Sequence, residues 1–278
     1  MLMNRAEMTA TILARLDADA ELIRKDWNKV SPGTKTRYCT VDNLLPETVA
    51  TEIRQAFPKD ADGFSTRASF REHKRTSGNF DELPRILADI TFAMQSPAVV
   101  DKIADLTGMP NLEPDPHLYA GGLSMMFLGE FLNPHIDNSH EATKAKYRRI
   151  NLLYYVAPDW AEENGGNLEL WDDNVTKPVT IVSDFNRLVL METNNESWHS
   201  VSPLNVDGPR CCVSNYYFSE ASPSGKDYYH VTSFTGRPEQ KVRRALGLVD
   251  NAARRLARSV GAKRSTDKGY EGSLGQED

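Results

Sequence analysis

The amino-acid sequence predicts a mainly β fold with flanking helices, and three observations carry that prediction. From about Leu118, short runs rich in aromatic and branched residues follow one another: LSMMFLGEFL, RRINLLYYV, GGNLELWD, TIVSDFNRLVLME, SWHSV and RCCVSNYYFSE. Turn signals separate them, among them Asn133-Pro134, Asn164-Gly165-Gly166, Lys177-Pro178 and Asp207-Gly208-Pro209. On either side of this region the apolar residues recur at helical spacing instead. Many short strands at regular intervals point to a sandwich or barrel of antiparallel strands.

The elements follow in chain order. Ile12, Leu16, Ala20 and Ile23 predict one amphipathic helix from about Met8 to Ile23. RYCTVDNLLP reads as a strand running into a turn, with a helix starting near Pro46. Residues 58–82, polar and punctuated by glycine, read as a long loop, and a stretch of that length is usually functional or mobile. Its Arg67, Arg71, His73, Lys74 and Arg75 make it a candidate substrate lid. Helices are expected at about 83–94 and 97–107. The division is therefore 1–117, helical and looped, packing on a core at 118–222, followed by an extension at 223–264 and a disordered tail at 265–278.

In that extension Val242, Leu246, Val249, Ala253, Leu256 and Val260 form one apolar stripe. The segment 237–264 holds nine Lys/Arg against Glu239 and Asp250. Such a basic amphipathic helix suits a membrane surface, a partner, or packing on the domain or on a second copy as a homodimer.

Composition excludes several classes. With 278 residues, 40% hydrophobic, 26% charged and a net charge of −6, the chain reads as an ordinary globular protein. Its mild acidity argues against nucleic acid as the main partner. No apolar run is long enough for a transmembrane segment, and the N-terminus lacks the apolar core of a signal peptide. Three cysteines (Cys39, Cys211, Cys212) without CxxC spacing point to a reduced, cytoplasmic setting and away from a zinc–thiolate site.

The chemistry concentrates at FLNPHIDN, residues 131–138. At a strand end, His135 and Asp137 point to one face. Two ligands hold a redox metal poorly, so a third is needed. Of the six histidines, His199 in SWHSVSP is the best placed, inside the β region. Two histidines and one carboxylate form the facial triad of non-haem Fe(II) oxygenases, which leaves positions open for co-substrate and oxygen. His140, three residues past Asp137, reads as solvated, and His73 reads as a substrate contact at most. An H-x-D alone is also common in surface turns. A second coincidence strengthens it: Arg210 follows His199 by eleven residues and opens RCCVSNYYF. A guanidinium there suits the distal carboxylate of a 2-oxoglutarate-type co-substrate.

With these residues in place, the stretch from about Leu118 to Glu220 resembles the Fe(II)/2-oxoglutarate-dependent dioxygenases, within them the prolyl-4-hydroxylase-like branch. The resemblance rests on HID (135–137), RRINLLYYV (148–156), PDW (158–160), GGNLELW (165–171), DFNRLVL (184–190), His199 and RCCVSNYYF (210–218). It implies a double-stranded β-helix (jelly roll) core, with His135, Asp137 and His199 as the iron ligands. It implies that Arg210 and Tyr155 hold the far carboxylate of 2-oxoglutarate. By alternation from Arg210, Ser214 and Tyr216 share its pocket-facing side, while Tyr154 and Tyr217 turn away into packing.

The cofactors implied are Fe(II), 2-oxoglutarate and O2, with ascorbate as a supporting reductant. The activity implied is hydroxylation of an unactivated C–H bond; halogenating relatives lack the carboxylate that Asp137 retains. Where relatives often carry a further tyrosine before the H-x-D, this chain has Met125, Met126 and Phe127. A prolyl or peptidyl group, an amino acid or a small natural product all stay open as substrate. A zinc-dependent hydrolase and a non-catalytic jelly-roll binding module are the readings from other classes.

Overall fold

The structure, a computed structural model, describes residues 3–119, 121–242 and 244. The apolar stripe beyond Val242 and the tail 265–278 therefore lie outside the described residues. The N-terminal helix α1 (Arg5–Ala18) opens on a capping box: the Asn4 side chain accepts from the Glu7 N–H, and the Glu7 carboxylate accepts from the Asn4 N–H. It buries Met8, Ile12 and Leu16. The single helix expected to Ile23 is instead broken at Asp19, which ends α1 and starts α2 (Ala20–Trp27). The break swings Ile23 and Trp27 into the core.

Next come β1 (Tyr38–Asp42), α3 (Glu47–Ala56, directly after Pro46), β2 (Ser65–Ala68), β3 (Glu72–Ser77), α4 (Arg85–Ala93) and α5 (Pro97–Thr107). The expected loop at 58–82 is thus corrected in its centre, where β2 and β3 form a hairpin. Its sequence carries no hydrophobic alternation because neither face is fully buried. Backbone pairing, to which side-chain patterns are blind, holds it in place.

The remaining strands are β4 (Glu113–Pro114), β5 (Gly122–Met126), β6 (Phe131–Ile136), β7 (Tyr147–Tyr155), β8 (Leu168–Trp171), β9 (Pro178–Ile181), β10 (Arg187–Glu192), β11 (His199–Val201), β12 (Arg210–Ser219) and β13 (Ser233–Phe234). Hydrogen bonding runs β1-β10-β7-β12-β5-β3-β6-β11-β8-β9, and every pair is antiparallel. This is a double-stranded β-helix. One sheet holds β10, β7, β12 and β5, and the other holds β6, β11, β8 and β9. Strand β3 crosses between them, pairing Arg75–Ser77 with β5 and Glu72 and His73 with β6.

Alternation explains how both faces of the first sheet are filled. Ile150, Leu152, Tyr154, Leu188, Leu190, Cys211, Val213 and Tyr217 face outward and join the helical layer in one core. Their neighbours Tyr155, Val189, Met191 and Cys212 face inward and meet Leu168, Leu170 and Ile181 of the second sheet. Helix α4, buried along Ile86–Ala93, seals the outer side. Among the described residues no helix is long and apolar enough to cross a membrane.

Candidate metal centre

His135 lies on β6 and Asp137 just past its end, so both side chains face the interior between the sheets. His199 opens β11 directly opposite His135. The local backbone sets the imidazoles: His135 Nδ1 lies 2.9 Å from the Asn133 carbonyl, and His199 Nδ1 lies 2.9 Å from the Ser197 carbonyl. A carbonyl only accepts, so each Nδ1 carries a proton and each Nε2 is the ring atom left facing the interior.

Both Nε2 atoms face one carboxylate. His135 Nε2 is 3.6 Å from Asp137 Oδ1, and His199 Nε2 is 3.5 Å from Oδ2. All three residues place a donor atom within 4.8 Å of the others. Burial, with His135 alongside, pulls the His199 imidazole down to about 4, so it is neutral at neutral pH. Burial alone would raise the Asp137 carboxyl, but the Arg148 guanidinium and the two imidazoles hold it well below the usual range. Two ring nitrogens and a carboxylate thus converge on one point, a donor set that suits a cation.

Two donors fix the carboxylate. Arg148 Nη1 lies 3.1 Å and Asn151 Nδ2 lies 3.0 Å from the same Oδ2. Arg148 is itself buried, its guanidinium 4.2 Å from the Tyr216 ring centre.

A small cavity of about 100 Å³ extends inward from the triad, and Arg210, Ser214, Tyr216 and Met126 are among the residues lining it. Arg210, 3% exposed, reaches only Ser183 Oγ at 3.4 Å and Met126 Sδ at 3.8 Å, with the Tyr155 ring centre at 4.7 Å. Among the described residues no carboxylate pairs with it. The Tyr155 hydroxyl, beside Ser183 and Arg210, is buried without a hydrogen-bond partner, as is Asn151 Oδ1. Burial pushes the Tyr155 phenol up to about 12 against the pull of Arg210. Tyr154 and Tyr217 turn outward, donating to Asn186 and to the Met94 carbonyl. On the solvent side a cleft of about 440 Å³ reaches His135 and Asp137. The β2–β3 hairpin (Arg67, Glu72, Lys74) forms one wall, and Tyr119 and Phe234 lie on another.

The other histidines stay out of the triad. His140, expected in solvent, is instead buried: its strip of chain folds back to bridge Tyr147, placing the rings 4.1 Å apart, with Nδ1 2.7 Å from Ser139 Oγ. His73 meets Glu130 at 3.4 Å, and His230 Nε2 meets Ser233 Oγ at 2.7 Å.

The triad, Arg148, Asn151, Tyr155 and Arg210 all fall within residues 121–218, the stretch that matches the 2OG-Fe(II) oxygenase superfamily. Residues 121–218 belong to that superfamily. The cleft walls, namely the β2–β3 hairpin, Tyr119 and Phe234, lie outside the matched stretch.

Among curated proteins, this oxygenase domain is similar to the Prolyl 3-hydroxylase OGFOD1 of Xenopus laevis, at 35% identity over 95 residues, 31% of this chain and 19% of that protein. The Mus musculus protein of the same name is 31% identical over 88 residues, 30% of this chain and 16% of that one. The chain thus spans less than a fifth of the length of these relatives. Among solved structures, its fold is that of a Trichoplax adhaerens prolyl hydroxylase in complex with a hypoxia inducible factor peptide fragment (TM-score 0.52, 20% identity, 77% of this chain and 97% of that one). A prolyl 4-hydroxylase of Phytophthora capsici shares it (TM-score 0.53, 14% identity, 91% and 79%).

The donor set of the oxygenase domain fits the iron and 2-oxoglutarate of its superfamily. The triad offers two imidazole nitrogens and a carboxylate, and the inner cavity offers a buried guanidinium and phenol that the described residues leave without an anionic partner. Sequence reasoning missed Arg148, Asn151 and Phe234, whose ring stacks on His135 at 5.0 Å.

Proposed function

We propose that this chain is an Fe(II)- and 2-oxoglutarate-dependent dioxygenase that hydroxylates an unactivated C–H bond. The observation that carries the reading is the convergence of two Nε2 atoms on the Asp137 carboxylate, one small cavity away from a buried Arg210 that no described carboxylate pairs. Bound iron, with 2-oxoglutarate and dioxygen, supplies the oxidising power to insert oxygen into a C–H bond, with release of succinate and carbon dioxide.

The protein's own residues do the arranging. His135, Asp137 and His199 hold the metal, while Arg148 and Asn151 keep the carboxylate aimed. Arg210 and Tyr155 receive the far carboxylate of the co-substrate, and Ser214 lines its pocket. Burial of these groups excludes water and strengthens each charge interaction.

Two observations favour a prolyl or peptidyl group as substrate: the curated relatives are named prolyl 3-hydroxylases, and the cleft beside the triad is open along the hairpin. In this reading residues 118–222 form the catalytic core, carried on the region 1–117, whose β1 and hairpin pair into the core sheet. A cytoplasmic location accords with three free, buried cysteines.

A zinc hydrolase would require a general base beside the triad. Among the described residues, the only other carboxylate lining the cleft or the inner cavity, Glu72, is paired with Lys74 at 3.3 Å. Anaerobic titration of apo-protein with Fe(II) and 2-oxoglutarate tests the dioxygenase reading. A weak visible charge-transfer band, lost in His199→Ala, is expected. Tight zinc binding with no such band would overturn it.

A further inference from the structure

The two histidines of the triad stand on the least regular part of the second sheet. Pro134, immediately before His135, has no N–H to give to a ladder. The β11–β6 register slips there, from His199↔His135 to Val201↔Leu132. Strand β11 itself is only three residues long. Support from outside these two strands adds to the carbonyl contacts that set the rings.

That support comes from chain beyond the matched domain. Strand β13 pairs Ser233 with Ile136 and Phe234 with His135, and the Thr235 N–H donates to the Pro134 carbonyl at 2.9 Å. The Phe234 ring lies nearly parallel to His135, 17° from coplanar. Three residues on, Arg237 turns under β11. Its Nη1 and Nη2 bond the two oxygens of Glu169 on β8 at 3.1 and 2.5 Å, and Nη2 also donates to the Val201 carbonyl at 3.1 Å and lies 3.4 Å from Ser200 Oγ. Ser200 Oγ donates to Glu169 at 2.6 Å and accepts from Trp171 Nε1 at 2.8 Å. Every member of this network is buried. It locks Ser200, the residue next to His199, on the face opposite the imidazole.

We infer that residues 233–237 form a brace for the metal site, in which Arg237 is a positioning residue for His199 and Phe234 one for His135. The inference rests on the triad being a metal site, and its test separates the two ideas. Partners one layer out from a metal ligand typically change metal affinity about 10–100-fold when removed.

The test is titration of the 278-residue apo-protein with Co(II), followed through its visible ligand-field bands, for the parent, Arg237→Met, Arg237→Lys and Phe234→Leu. Arg237→Met is expected to weaken Co(II) binding at least about tenfold and to shift the bands. Arg237→Lys should restore part of both, and Phe234→Leu should shift the bands with a smaller loss of affinity. Because Arg237→Met strands Glu169, the double variant Glu169→Met/Arg237→Met serves if the single one does not fold. Parent-like affinity and band positions in whichever of these folds overturn the brace. Failure of the parent to bind Co(II) overturns the metal site itself.

Discussion

Arg210→Met is the perturbation with opposite expected effects on the empty and the loaded protein. In the empty protein the guanidinium is buried with two long contacts, 3.4 Å to Ser183 Oγ and 3.8 Å to Met126 Sδ. Methionine keeps the apolar stem and removes a charge that no described carboxylate compensates. The empty variant is therefore expected to melt no lower than the parent. Loss of one member of a buried charge pair costs about 2–5 kcal/mol of binding; about 2.8 kcal/mol is a hundredfold in affinity.

Differential scanning fluorimetry with Mn(II), with and without 2-oxoglutarate, reads both effects. At about a hundred times the parent's Kd, the ligand stabilises the parent by about 2.7 kcal/mol. For a chain of this length, unfolding entropy is about 0.6 kcal/mol/K, so the shift is about 4–5 °C. A hundredfold weaker variant at the same concentration keeps about 0.4 kcal/mol, under about 1 °C. A full shift in the variant would refute the placement of the carboxylate at Arg210. A drop of several degrees without ligand would show that the guanidinium is held structurally instead.

Tyr154→Phe, which loses a buried hydrogen bond to Asn186, should cost about 1–2 kcal/mol in urea melts and leave 2-oxoglutarate affinity unchanged. Tyr155→Phe should do the reverse, weakening the ligand with little loss of stability, since its hydroxyl has no protein partner. Asp137→Ala should abolish Co(II) binding and also destabilise the apo-protein by about 3–5 kcal/mol, because Arg148 is left buried and unpaired; Asp137→Asn should be milder in stability. Burial pushes the Asp115 carboxyl up to about 6, against the pull of the Tyr119 N–H and Arg148. A raised folded value favours the protonated form, so its contribution, at most about 3 kcal/mol, is present below about pH 4 and lost as pH rises through about 6. Asp115→Asn should flatten the melting temperature over that window; an unchanged slope would count against the assignment.

Much of the core is legible in the sequence because period-two alternation and turn chemistry act locally. The strands from Gly122 to Ser219, the shared face of His135 and Asp137, and the inward aim of Tyr155 against the outward aim of Tyr154 all follow from it. What escapes is what local rules cannot encode. Strict alternation back from Tyr155 through Leu153 and Asn151 would put Arg149 inside. The β12 ladder instead passes from Tyr217↔Ile150 to Phe218↔Arg148, so Arg149 is the extra residue of a bulge and Arg148 takes the inner face. The hairpin is hidden because its pairing uses backbone groups. Phe234 and Arg237 are hidden because their partners, His135 and Glu169, lie far back in the chain.

Strand β3 carries a consequence for how this protein can change. The triad histidines sit on β6 and β11, whereas one wall of the cleft beside them belongs to a hairpin far earlier in the chain. On the proposed function, side chains on that hairpin are open to replacement while the metal ligands stay fixed, so selectivity is free to drift apart from the reaction. The backbone beneath them has no such freedom. Strand β3 closes the seam between the two sheets, and deleting it would strip β5 and β6 of a neighbour, leaving two rows of unsatisfied N–H and C=O groups beside apolar surface. Shortened forms of the hairpin are expected to self-associate before they lose activity, which makes the mouth of the site adjustable in sequence but not in length.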